Sequence, residues 1–435
     1  MIGLRWKGTA VDKKSKKKDE GQGARAQMLL PVLGLLVTLK GDLLELVVRS
    51  GLQVLGALLE QERTLLCGPL YRHQPERRAG RAGYAKGELP LGGRRVSIAR
   101  PRVRGVDGAE VPLPSWEELS KTDPLTERAV EQMLIGVATR KYDRSLEPLP
   151  DEVKSRGTSR SAVSRRFVNA TAEKLSAEWS GSLAELRLSA MMIDGIVCGE
   201  HTVLVVIGID ETGNKHVLGL TEGATENASA CTRLLTNLVE RGLDTTRSIL
   251  VVIDGAKALA KSVRSVFGSR ALIQRCQVHK KRNVLESLPE HMKSSIGSMM
   301  TTAYQCRDPK KAILMLNKIA RQLDSHHPGA AESLREGLEE TVTITAADLS
   351  DPLRRTLATT NPIENINSSI RRTTRNVKRW RGGTMVLRWV GAALHEAAKG
   401  FHRLKGHAGM PKLVAFLRAN DARLDGAVAA RPKAA

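Results

Sequence analysis

Two stretches of this chain share one design that narrows its fold to a few possibilities. Met191-Met192-Ile193-Asp194-Gly195 and Val251-Val252-Ile253-Asp254-Gly255 are each an apolar run that stops at Asp-Gly. A short run that is apolar on both faces suits a strand covered on both sides by helices. The flanking sequence agrees. Residues 186–198, 202–209 and 216–220 read as three strands, with the turn Asp210-Glu211-Thr212-Gly213-Asn214 between the last two. Residues 228–241 read as a helix with Leu234, Leu235 and Leu238 on one face and Gly242 just past its end. Residues 248–253, 258–267 and 271–277 then read as strand, helix and strand. A three-stranded meander followed by crossover units predicts an α/β fold, a mixed sheet with helices on its faces.

The two Asp residues carry the first chemistry. Functional sites of open sheets gather at the carboxyl ends of strands. If the two runs are neighbours, their carboxylates converge and repel unless a cation sits between them. Mg²⁺ is a hard ion that prefers oxygen ligands and keeps waters for a phosphate, so it fits. The plain alternative is that each Asp only closes its own turn. A third carboxylate stands in Thr359-Thr360-Asn361-Pro362-Ile363-Glu364, where Asn361 reads as a helix cap, Pro362 as the first helical residue and Glu364 as the third. Glu364 therefore has two readings: it caps its own helix, or it joins the Asp pair. Asn367, Ile370 and Arg371 lie close to its helical face. The basic run Arg371, Arg372, Arg375, Lys378, Arg379, Trp380 and Arg381 follows, which suits a metal site facing a phosphate backbone. Cys276 and His279 form a Cys-x-x-His pair, half of a zinc site with no second pair at sensible spacing. The better reading is a buried pair at a strand end beside the Asp sites.

Upstream, Gly157 reads as the end of a short helix and Thr158 or Ser159 as the cap of the next. That second helix presents Ser161, Ser164 and Arg165, with Arg166 beside them, while Ala162, Val163 and Phe167 face a core. The pattern is that of a helix-turn-helix entering the major groove, or of a plain helical hairpin with exposed arginines. Lys and Arg number 69 against 46 Asp and Glu, a formal net charge of +23. Nucleic acid is the commonest partner for such an excess. Five scattered cysteines argue against a disulfide framework and for a reducing, cytoplasmic setting. The apolar run Met28–Leu39 is shorter than the roughly 20 residues of a membrane span and lacks a small-residue cleavage site, so it reads as part of a helix over 28–65. Cys67 and His73 are too few ligands for a metal.

The expected organisation is a disordered basic tail (1–26), a helical and basic region (27–120) and a helix-turn-helix region (121–182). The first part of the sheet domain (183–280), an all-helical insertion (281–350), closing helices with Glu364 (351–422) and a frayed tail (423–435) follow. In the second region, 68–112 reads as a small β segment or a loose linker.

Asp194-Gly195, Asp254-Gly255, Gln274-Arg275-Cys276-x-x-His279 and Thr360-Asn361-x-x-Glu364-x-x-Asn367-x-x-x-Arg371 together resemble the Mutator-type family of bacterial insertion-sequence transposases, in order and spacing over roughly residues 120–420. Ser161-Ala162-Val163-Ser164-Arg165-Arg166-Phe167 resembles one branch of it. Ala258 before Leu259 departs from the glycine often found there. The resemblance implies an RNase H-like domain with Asp194, Asp254 and Glu364 as a catalytic triad holding two Mg²⁺ ions, for which Mn²⁺ substitutes, and Cys276, His279 and Asn367 as active-site support. It implies double-stranded DNA as partner, both terminal inverted repeats and target, a homodimer or higher oligomer, and a nucleoid-associated place in the bacterial cytoplasm. A structure-specific nuclease of the same fold, which would cut and never join, and a non-catalytic DNA-binding regulator are the rival classes.

Overall fold

The computed structural model describes residues 43–72, 79–121 and 125–429. The tail 1–26, the run Met28–Leu39 and His73 lie outside the described residues. The chain divides into two compact units: one holds the described residues up to 83 with 100–113 and 149–153, the other 84–99, 114–148 and everything from 154 onward.

In the first unit, α1 (Leu43–Cys67) buries Leu59 and the stem of Arg63. Arg63 pairs with Glu60 at 2.6 Å and donates to the Gly83 carbonyl, while Arg81 donates to Thr64. The segment expected as β or linker is β: β1 (Ala79–Leu91) and β2 (Arg94–Gly105) pair, and β3 (Glu110–Val111) adds to β2. β2 is rich in Arg, and it buries Val96, Pro101 and Val103 while Arg104 is exposed.

The second unit opens with α2 (Pro114–Lys121) and α3 (Leu125–Leu134). The helix expected to end at Gly157 does not form. Residues 149–154 turn instead, and β4 (Ser155–Arg156) pairs with β2, Val96 opposite Ser155. Pro148 and Pro150 withhold amide donors, and the strand edge of β2 offers the backbone partners a helix would have supplied internally. The second expected helix is present as α4 (Arg160–Ser180), capped by the Ser159 hydroxyl on the Ala162 amide. Val163 and Phe167 are buried, and α3 packs against α4.

The sheet follows the sequence pattern closely. β5 (Leu188–Cys198), β6 (His201–Asp210) and β7 (Lys215–Glu222) form an antiparallel meander. Asp210 closes the β6–β7 turn by accepting from the Thr212 and Asn214 amides at 2.8 and 2.9 Å. After α5 (Ala228–Glu240) comes β8 (Ile249–Ile253), then α6 (Lys257–Phe267) and β9 (Ala271–Arg275). The order is β7-β6-β5-β8-β9, with β5, β8 and β9 parallel.

Beyond the sheet, α7 (Gln277–Glu286), α8 (Glu290–Gln305), α9 (Pro309–Leu323) and α10 (Pro328–Arg335) enclose a core of their own around Met300, Leu316, Ile319 and Leu334. This is the expected helical insertion. Then α11 (Asp351–Leu357), α12 (Asn361–Thr374), α13 (Gly383–Ala398) and α14 (Met410–Ala429) return to the sheet. The closing region is made of helices, and the chain leaves helical geometry between α12 and α13 at 375–382, where Gly382 has φ +146°. One expectation fails here: α14 does not fray at 423 but continues to Ala429, and Asp421 and Asp425 grip Arg270 at 2.8 and 2.5 Å while Asp421 accepts from the Ser248 amide. No helix among the described residues is long and apolar enough to cross a membrane.

Side chains of β5 and β8 alternate between two cores. Met191, Ile193, Val251 and Ile253 pack with α5 and α6, whereas Met192, Ile196, Leu250 and Val252 pack with α12, α13 and α14. Leu250→Ala should cost about 2–5 kcal/mol, because a fully buried β8 residue cannot be replaced by its neighbours. The same change at exposed Leu314 should stay within about 0.5 kcal/mol. Urea unfolding of the two variants checks the contrast.

Candidate active site

β5 and β8 are in parallel register, with Met192 opposite Val252. Both of these side chains enter the core shared with α12. Two residues further on, the period of the strand returns to the same face, and there stand Asp194 and Asp254. The two Asp-Gly steps are not equivalent. β8 stops at Ile253, and Gly255 turns with φ +115°, a conformation that suits glycine. β5 instead runs on through Asp194 to Cys198, paired with β6. Asp194 therefore sits where β8 leaves the sheet rather than at a strand end, and its carboxylate takes the space that the departing strand opens.

Helix α12 closes this space. Ile363, Ile366 and Ile370 anchor it in the common core. Asn367, on the same face and 1% exposed, donates its Nδ2 to Asp194 Oδ2 at 2.7 Å. Burial pushes the Asp194 carboxyl up to about 6; the Gly195 amide opposes this, the charges of Asp254 and Glu364 add to it, and the charge of His279 opposes it. Both of the other acidic side chains thus act on Asp194. Asp254 also accepts from the Ala256 amide at 3.0 Å, so its turn-closing role is real alongside any other.

Glu364 is not held by a capping box. The helix begins one residue earlier than expected, with Thr360 in the cap position and Asn361 inside. The Thr360 hydroxyl, fully buried, donates to Glu364 Oε1 at 2.6 Å. The same hydroxyl lies 3.3 Å from His279 Nδ1 and 3.3 Å from Cys276 Sγ. His279 Nε2 is 3.6 Å from Glu364 Oε1. Cys276 and His279 are, as expected, at a strand end beside the Asp residues: the Cys276 amide bonds the Ile253 carbonyl at the end of β8. Burial works to raise the Cys276 thiol, yet hydrogen bonds from His279 and Thr360 outweigh it and hold the thiol below its ordinary range. The bond to Cys276 raises His279 against the effect of burial, and the charges of Cys276 and Glu364 add to the rise.

The sequence pattern of the family described as "Transposase, Mutator family" matches residues 35–403. The chain belongs to that family. Its relatives include the transposase for insertion sequence element IS256 in transposon Tn4001 of Staphylococcus aureus, 26% identical over 356 residues, 78% of this chain and 87% of the relative. The transposase for insertion sequence element IS1081 of Mycobacterium tuberculosis is 25% identical over 354 residues, 79% of this chain and 82% of the relative. That for element IS6120 of Mycolicibacterium smegmatis is 29% identical over 176 residues, 40% and 53% of the two chains.

In this chain the residues expected to meet DNA fall into two groups. Ser161, Ser164 and Arg165 are exposed on α4. Arg166 is half-buried and bonds Thr126 Oγ1 at 3.0 Å, tying α4 to α3 rather than reaching outward. Arg371, Arg372, Arg375, Lys378, Arg379 and Arg381 are all exposed. Trp380 turns inward, half-buried against the core, where a Cβ on Gly199 would fall 2.6 Å from its ring. Ser164, Phe167, Lys378, Arg379 and Arg381 line a common cavity of about 890 Å³. Thr360 was overlooked in the sequence although it stands inside a motif. A threonine in a cap position reads as a capping group, and nothing in the sequence announces that its hydroxyl turns toward residues 80 positions away.

Since Asp194 in the folded chain titrates near 6 instead of 3.8, the folded state holds a proton that the unfolded chain releases. The stability it contributes is complete below about pH 4 and lost as pH rises through 6. Asp194→Asn keeps an acceptor for Asn367 and removes that loss, so in chelator the variant gains up to roughly 3 kcal/mol over the parent above pH 6 and nothing at pH 4. Denaturant unfolding from pH 4 to 7.5 reads the difference; a gain independent of pH would contradict the burial of this carboxyl.

Proposed function

We propose that the protein is a DNA transposase of the Asp-Asp-Glu type, with an RNase H-like sheet domain that cuts at the ends of an insertion sequence and joins the freed ends to target DNA. One observation carries the reading: Asp254 and Glu364, 60 and 170 residues further along the chain, both act on the buried carboxyl of Asp194. The strand order β7-β6-β5-β8-β9, with Asp194 on the central strand β5 and Asp254 directly after the end of its parallel neighbour β8, supports it.

The donor set fits Mg²⁺. Every candidate ligand in the triad is a carboxylate oxygen, which suits a hard ion. The Oδ1 of Asn367 is buried beside Asp194 without a hydrogen-bond partner, an oxygen acceptor that a cation or its water would satisfy. Asp194, Asp254 and Glu364 would hold two ions. When bound, such ions activate a water or a 3′-hydroxyl and stabilise the charge that builds on the phosphate during in-line displacement. The chain's own residues prepare the site. Asn367 fixes the Asp194 carboxylate, Thr360 fixes Glu364, and His279 offers a positive charge beside them. Arg371 and Arg372, both about two turns beyond Glu364 on α12, extend toward solvent and suit the phosphates that flank the cut. Ser161, Ser164 and Arg165 would read the terminal inverted repeats from α4, in the manner of a recognition helix, although the short helix before it is replaced by β4.

Asp254→Asn should abolish Mg²⁺-dependent nicking of a DNA duplex carrying the element's end, with binding to that duplex preserved. Retained nicking removes Asp254 from the ligands. Arg165→Ala should weaken binding to element-end DNA and leave strand joining of a pre-cut end intact once binding is saturated. A titration by electrophoretic mobility shift that is unchanged in Arg165→Ala would take α4 out of end recognition.

A further inference from the structure

Counted along the sequence, Cys276 and His279 are half a zinc site. The fold supplies the third ligand from 85 residues further on. One ligand atom each from Cys276, His279 and Glu364 lies within 4.8 Å of the others. Two ligands on one tetrahedral zinc stand roughly 3.5 Å apart, given Zn–S near 2.3 Å and Zn–N near 2.0 Å. The 3.6 Å between His279 Nε2 and Glu364 Oε1 already meets that spacing, and the Cys276 sulfur lies within 4.8 Å of a ligand atom of each.

The environment is that of a cation site as well. Cys276 Sγ, His279 Nδ1 and Glu364 Oε1 all crowd one Thr360 hydroxyl, which has a single proton to give. The sulfur also draws the Thr360 amide at 3.4 Å. A sulfur, an imidazole nitrogen and a carboxylate oxygen gathered around one hydroxyl make a donor set for a soft divalent ion, which displaces the thiol proton to solvent. Cys276 is fully buried, while the side chains of His279 and Glu364 are 19% and 39% exposed, so the open side of the cluster faces water and leaves a fourth position for it.

We propose that Cys276, His279 and Glu364 form a three-ligand site for a soft divalent cation of the zinc class, and that filling it withdraws Glu364 from Asp194 and Asp254. The first half stands on the cluster alone. The second half rests on the catalytic reading of the three carboxylates. Glu364 then belongs to two donor sets that sort ions by hardness: oxygen ligands toward the Asp pair for Mg²⁺, and sulfur and nitrogen on the other side. Zinc becomes an inhibitor that competes for one side chain and not for DNA.

Metal-free full-length protein titrated with Co²⁺ tests the site without activity. The expected result is a thiolate-to-cobalt charge-transfer band in the near ultraviolet that saturates at one ion per chain, is bleached by Zn²⁺ and is lost in Cys276→Ser. A band absent from the parent, or undiminished in Cys276→Ser, overturns the site. His279→Ala and Glu364→Gln give the same reading should the serine variant fail to fold, each weakening cobalt binding. The inhibition is read as the ratio of Mg²⁺-dependent nicking with and without Zn²⁺, within each variant. Nicking by the parent is lost as the zinc site fills, and in Cys276→Ser it loses this sensitivity. Equal inhibition of both proteins overturns the link to Glu364 while leaving the cobalt result standing. Parent protein that binds cobalt but nicks no DNA at any Mg²⁺ concentration would instead count against the catalytic reading.

Discussion

The parallel register of β5 and β8 is the constraint on which the rest of this structure depends. Strand side chains alternate, so a shift by one residue would send Asp254 to the face of α5 and α6 and leave Asp194 alone. Nothing in the Asp-Gly steps themselves enforces the register. It is enforced by the apolar residues that precede them: Met192 and Val252 on one face, Met191 and Val251 on the other, each buried to within 1%. The hydrophobic effect on both sides of the sheet therefore sets the spacing of two charges that would otherwise separate. The cost appears in the Asp194 carboxyl, which is pushed up to about 6 by that burial and its acidic neighbours.

Much of this was legible beforehand, for a physical reason. A doubly covered strand must be apolar throughout, and a helix on its face must be apolar every three or four residues, so the five strands and two helices of residues 188–275 stand out within a residue or two. The place of Asp254 and of the Cys-His pair was legible because each follows directly on a strand that the pattern already marks, whereas Asp194, expected at a strand end, lies inside β5. What failed was governed by partners distant in the chain. Residues 149–156 carry helix-compatible chemistry, but the free edge of β2 captured them. The end beyond 422 reads as frayed because it is rich in Ala and Arg, and the partner that holds Asp421 and Asp425, Arg270, lies 151 and 155 residues upstream. Trp380, among six cations, looked like part of a DNA-facing surface and instead fills the space left by Gly199.

The basic run behaves differently from the core. Its charge was legible and its shape was not, because exposed arginines impose no period. The break at 375–382 moves these residues off the axis of α12 and around the same cavity as Ser164 and Phe167 of α4. Two segments that sequence reasoning kept in separate regions thereby present one surface. A bend in the chain does here what a continuous helix could not, since a straight extension of α12 would carry its cations away from α4.

The helical insertion raises the question of how Glu364, arriving 110 residues after Asp254, comes to act on the same carboxyl of Asp194. The length of the insertion matters little if its two ends are fixed, because loop-closure cost grows only with the logarithm of length. The ends are fixed at Gln274, which is fully buried. Its amide donates to the Thr341 carbonyl at 2.9 Å and its Oε1 accepts from the Ile344 amide at 2.9 Å. Gln277 repeats the hold on Thr341, and Arg275 pairs with Glu340 at 2.6 Å. The returning chain is thus sewn to the end of β9, next to Cys276. From that point α11 and the Gln277 amide bond to the Ala358 carbonyl deliver Thr360 onto the sulfur, and one helical turn later Glu364. The insertion can fold around its own core and still leave Glu364 in place, since its position is set by the seam at Gln274 and not by the helices between.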